Sequence, residues 1–111
     1  MGKVKLQAEL TSTQVIEGAK GEAEFEIGMH HTEFSIKIKD VPAGFYAVFV
    51  AGVEVGEIEV IEEDGDFVGK VKFTYPKKNN TLELNFEPRG KIIEILQADD
   101  QVVLETDFPD E

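Results

Sequence analysis

Glutamate and lysine alternate with aliphatic and aromatic residues in two stretches of this chain, and that alternation limits what it can fold into. The first stretch is Glu22-Ala23-Glu24-Phe25-Glu26-Ile27 followed by Phe34-Ser35-Ile36-Lys37-Ile38-Lys39. The second is Glu57-Ile58-Glu59-Val60 followed, across Asp64-Gly65, by Gly69-Lys70-Val71-Lys72-Phe73. Side chains on an extended backbone point to opposite faces in turn, so each stretch has one dry face and one wet face. This is the signature of antiparallel sheets buried on one side.

The alternation also suggests a register. Ile27 opposite Phe34 sets Phe25 against Ile36, Glu24 against Lys37 and Glu22 against Lys39. In the second stretch, Glu63 opposite Asp66 sets Ile58 against Val71, Glu59 against Lys70 and Glu57 against Lys72. Opposite charges facing across strands contribute roughly 0.2–1 kcal/mol each. Asp64-Gly65 fits a two-residue turn, which needs positive φ at both central positions.

Nine segments read as strands. They are Val4 to Leu10, Glu22 to Ile27, Phe34 to Lys39, Phe45 to Val50, Val53 to Glu62, the lysine strand ending at Phe73, Thr81 to Phe86, Lys91 to Gln97, and Val102 to Phe108. Leu82, Leu84 and Phe86 are expected to face inward. Asp40-Val41-Pro42-Ala43-Gly44 interrupts the pattern with a proline, which removes a ladder donor and marks a crossover between non-adjacent strands. A two-residue turn at Asp99-Asp100 would set Glu94 against Glu105, so a bulge or longer loop is expected there. The tail Pro109-Asp110-Glu111 is expected to fray. No segment has the length and period of a helix. The fold class is therefore all-β, an antiparallel Greek-key sandwich or flattened barrel of eight to nine strands.

The 111 residues suit one domain spanning 1–111. Cysteine is absent, which removes disulfides and thiolate chemistry. With 23 acidic against 11 basic residues the formal charge is -12, a surface that repels nucleic acid and anionic lipid. No apolar run approaches the ~20 residues that span a bilayer, so membrane insertion is not expected. Met1-Gly2-Lys3-Val4-Lys5 lacks a signal peptide's apolar core, which leaves a cytoplasmic protein or a mature exported form.

Several runs resemble the Greek-key barrel of copper/zinc superoxide dismutases and the related CHRD-type domains. They are Lys20-Gly21-Glu22-Ala23-Glu24-Phe25-Glu26, Ile38 through Val50, Gly56-Glu57-Ile58-Glu59-Val60, and Gly90 through Asp100. The resemblance implies eight barrel strands in the order 1-2-3-6-5-4-7-8. It does not carry the family's chemistry. Where that family has a copper-binding His-x-His on its fourth strand, this chain has Phe49-Val50-Ala51, and another copper ligand falls near Ile95. The zinc-bearing loop is reduced to Ala51-Gly52, and the loop that steers superoxide to about Asp99-Asp100-Gln101. A redox copper site needs imidazoles, and none stands at those places.

The candidate sites are few. His30-His31, with Glu33 close by, could catch a transition metal, but neighbours on an extended segment point to opposite sides. Glu62-Glu63-Asp64-Gly65-Asp66 is acidic, yet a two-residue hairpin cannot wrap a calcium ion. No serine sits in a Gly-x-Ser-x-Gly turn, and no glycine loop leads into a helix to cradle phosphate. No catalytic residue and no cofactor are expected. Phe45, Tyr46, Phe49, Tyr75, Phe86 and Arg89 are of the types favoured at binding hot spots. The strand Phe45 to Val50 is apolar on both faces, and Tyr46, Val48, Val50, Val53 and Val55 form the expected exposed interface. The expectation is a non-catalytic acidic module that binds a protein or itself, as in a homodimer. The alternatives are a metal-binding domain or a degenerate dismutase-like protein.

Overall fold

In the computed structural model, which describes residues 4–110, the alternating segments become nine strands. They are β1 (Val4–Ser12), β2 (Lys20–Ile27), β3 (Thr32–Lys39), β4 (Gly44–Val50), β5 (Val53–Glu63), β6 (Asp66–Tyr75), β7 (Leu82–Glu83), β8 (Ile92–Leu96) and β9 (Val102–Asp107). Eight of them close a ring in the order β1-β2-β3-β6-β5-β4-β8-β9, with β9 returning to β1. Every pairing in the ring is antiparallel. The short β7 lies outside it, parallel to β6. Counting only the eight ring strands gives 1-2-3-6-5-4-7-8, the order implied by the resemblance. The molecule measures 40 × 27 × 21 Å, so the barrel is flattened. Met1–Lys3 and Glu111 lie outside the described residues, and with them most of the Met1–Lys5 start and the last residue of the tail expected to fray.

The dry faces line the inside as their period requires. Phe25, Ile36, Ile58 and Val71 are all buried. Phe34 is the hub of an aromatic cluster, edge-on to Phe86 (5.8 Å between centroids) and Phe108 (5.5 Å) and tilted against Phe73 at 6.1 Å. Such edge contacts match the positive ring edge to the negative ring face.

The first hairpin keeps its faces but not its expected register. Phe25 lies opposite Phe34, Ala23 opposite Ile36, Glu22 opposite Lys37 and Glu24 opposite Ser35. The turn is the cause. It closes tightly, with Gly28 N–H donating to the His31 carbonyl at 2.8 Å, so pairing resumes at Ile27/Thr32. A shift of two residues preserves inside and outside while changing every charge partner. Glu24 instead receives a hydrogen bond from Gln7 (2.6 Å) and lies 3.6 Å from Lys5. Lys39 faces Lys20, and Lys37 faces Lys70.

The second hairpin begins in the expected register, with Glu63 opposite Asp66 and positive φ at Asp64 and Gly65. Its ladder stops at Val60/Gly69, so the pairs Glu59–Lys70 and Glu57–Lys72 do not form. β5 crosses Gly69 at very close range. A Cβ there would sit 2.6 Å from Ile58 Cγ2 and 2.7 Å from the Glu59 carbonyl oxygen. Beyond that point β5 pairs with β4, while β6 runs on beside β3 and takes β7 at Phe73 and Thr74. Lys72 lies 3.6 Å from Glu33 on β3. In the seventh segment only Leu82–Glu83 is strand, and Leu82 faces outward, contrary to expectation, while Leu84 is buried.

The segment from Asp40 to Gly44 carries the chain from β3 to β4, which are not neighbours, as its proline implies. Between β8 and β9 the expected irregularity falls at Ile95/Leu96. It lies on the turn side, so Glu94 and Glu105 still face one another.

Candidate interaction surface

β4 is central, paired with β5 on one side and β8 on the other. Its two apolar faces therefore have separate fates, which the sequence alone did not assign. Tyr46, Val48 and Val50 point into the barrel and are buried at 4 %, 0 % and 4 % exposure. This corrects the expected patch: three of its five residues are core. Val53 is exposed at the tip of the β4–β5 hairpin and Val55 is half-buried beside the bulge opposite Val48/Phe49, so the five do not share a surface.

The outward face of β4 carries Phe45, Ala47 and Phe49. Phe45 is 57 % exposed, and the other two are half-covered. On the β5 side, Phe45 faces Glu59, Ala47 faces Glu57 and Phe49 faces Glu54. On the β8 side, Ala47 faces Leu96 and Phe49 faces Glu94, with Glu105 of β9 next in line. The apolar strip thus has a row of carboxylates along its β5 side, and on its β8 side Glu94 beside Phe49, backed by Glu105. None of Glu54, Glu57, Glu59, Glu94 and Glu105 forms an ion pair among the described residues. At one end of the strip is an open depression of about 360 Å³, bordered by Pro42, Phe45, Gln97 and Asp99. The inner face is anchored there too: Tyr46 Oη donates to the Pro42 carbonyl at 2.7 Å, and burial raises the Tyr46 pKa. That hydroxyl anchor was not foreseen, although a tyrosine four residues after the crossover proline is a signal for it.

Other candidate groups lie elsewhere. His30 is exposed in the β2–β3 turn, and His31 Nε2 lies 3.9 Å from Glu33 Oε1. No group of three or more His, Cys, Asp or Glu among the described residues is placed to hold a metal ion. Lys20, Lys37 and Lys39 border a depression of about 210 Å³ shared with Glu9 and Glu22. A third hollow, of about 230 Å³, is lined by Tyr75, Phe86 and Arg89 among others. Its guanidinium is committed internally: Arg89 grips both Glu87 oxygens at 2.8 and 2.9 Å and lies 5.1 Å from the Phe25 ring centroid. The Arg89 hydrogen bond holds the Glu87 carboxyl below its ordinary value, and the same contact raises the Arg89 pKa.

No protein-family model matches the chain, and comparison with curated proteins finds no match. No helix among the described residues is long and apolar enough to cross a membrane.

Proposed function

We propose that this protein is a non-catalytic acidic β-barrel module that binds another polypeptide through the outer face of β4. The observation that carries the reading is the exposure of Phe45 at the crossover end of a central strand, in line with Ala47 and Phe49. A central strand exposing an aromatic in line with half-covered apolar neighbours has surface that binding would bury favourably, and aromatic anchors dominate interface energetics. Replacing Phe45 with a photo-crosslinking residue in cells tests this. The expected result is a defined cross-linked product from that position and none from the same residue placed at Lys37, on β3. Identical products at both positions, or none at either, would contradict it.

A kinship with the copper/zinc superoxide dismutase and CHRD barrels is a second reading, of descent and not of activity. The ring order 1-2-3-6-5-4-7-8 supports it. Phe49, Ala51 and Ile95 stand where that family's copper ligands would fall; Phe49 is half-covered, Ala51 is exposed and Ile95 is packed in the core. A metal-binding reading has His31 and Glu33 as neighbouring donors, whereas a tight zinc or copper site takes three or four.

A further inference from the structure

Resting on that reading of the β4 face, we propose that its occupant is an extended basic segment with lysine or arginine flanking an apolar anchor, not a second copy of this chain. Neighbouring strands lie about 4.8 Å apart, so Glu59, Glu57 and Glu54 follow Phe45, Ala47 and Phe49 at close range along the β5 side, while on the β8 side Glu94 stands beside Phe49 with Glu105 one strand further out. Glu94 directly opposite Glu105 is an unfavourable cross-strand pair that no cation of the described chain relieves. Glu57 and Glu59 are likewise left without the lysines that a continued β5–β6 ladder would have given them. A segment with a central apolar side chain and basic residues on either side meets these groups together: its anchor covers the Phe45–Phe49 strip, and its cations reach the β5 row on one side and Glu94 and Glu105 on the other. Charge complementarity of this kind fixes register and speeds association.

A second copy fits poorly in either orientation. Face to face, it would stack identical carboxylate rows from two chains that each carry a formal charge of -12. Head to tail, the lysine face of β2, β3 and β6 would have to dock. That face presents Lys37, Lys39 and Lys70 with Glu22, Glu24 and Ser35, and its apolar surface is confined to one end, at half-buried Val68 and its cross-strand neighbour Ile61 of β5.

The test uses a fluorescent ten-residue peptide alternating lysine with leucine around one phenylalanine, titrated by anisotropy into the full chain. Binding is expected to weaken about tenfold with Phe45→Ser and again with Glu57→Lys, and to weaken as salt rises. Lys37→Glu on β3 should leave it unchanged, and the peptide with glutamate for lysine should not bind. All these substitutions are at outward positions, and circular dichroism of each variant checks the fold. Binding that survives both Phe45→Ser and Glu57→Lys is diffuse attraction to an acidic protein and overturns the inference. So does concentration-dependent dimerisation abolished by Phe45→Lys, although that result leaves the β4 face standing as a binding surface. No peptide binding, together with a photo-crosslinker at Phe45 that captures nothing, removes both.

Discussion

Tyr46 is tied by its hydroxyl to the carbonyl of Pro42, four residues back across the crossover that brings the chain from β3 to β4. The bond ties the crossover to the start of the strand that carries the proposed surface, with Tyr46 on the inner face beside Val48 and Val50. Tyr46→Phe removes only the oxygen, so the expected loss is about 1 kcal/mol. Burial raises the folded pKa of this phenol. Its contribution is therefore complete below the unfolded value of about 10 and declines as pH rises from there toward the folded value. Urea unfolding between pH 8 and 11 should show a shallower alkaline decline in the phenylalanine variant than in the parent.

Gly69 is where β5 changes partner. A methyl group at this position would press on the Glu59 carbonyl oxygen, which is backbone, and on the branched side chains of Ile58 and Val60. Gly69→Ala is expected to cost about 1–3 kcal/mol or more, because the two strands must separate to admit it. Chemical denaturation measures the loss, and an alanine variant as stable as the parent would mean that the strands do not cross so closely.

Glu105→Lys should do two opposite things. Facing Glu94, the new lysine turns a repulsive pair into an attractive one and should raise stability by roughly 0.2–1 kcal/mol. The same charge should weaken capture of a basic segment. A denaturation midpoint and a peptide titration on one sample separate the two effects.

The sequence is informative where a single period decides the outcome. Phe25, Ile36, Ile58 and Val71 alternate with charged residues, so their burial follows from parity alone. Parity does not fix register, and the two-residue shift of β3 against β2 came from a shorter turn at Gly28–His31. It also met a longer-range demand, since β3 must set Phe34 opposite Phe73 of β6 as well as Phe25 of β2. The lysines of β6 follow β3 rather than β5 for the same reason. At β4 the signal failed altogether: with apolar residues on both faces, alternation cannot say which side is dry. The Tyr46–Pro42 spacing holds that information in a hydrogen bond, which a reading of hydrophobicity overlooks.

Val48 lies inside the barrel and Phe45 outside it. Urea unfolding of Val48→Lys and Phe45→Lys beside the parent tests this most directly. Val48→Lys should lose several kcal/mol, a large part of a total stability of about 5–15 kcal/mol, because an ammonium group would be buried among aliphatic side chains. Phe45→Lys should stay within about 0.5 kcal/mol of the parent. A Val48→Lys protein as stable as the parent, with Phe45→Lys unfolded, would show that β4 faces the other way.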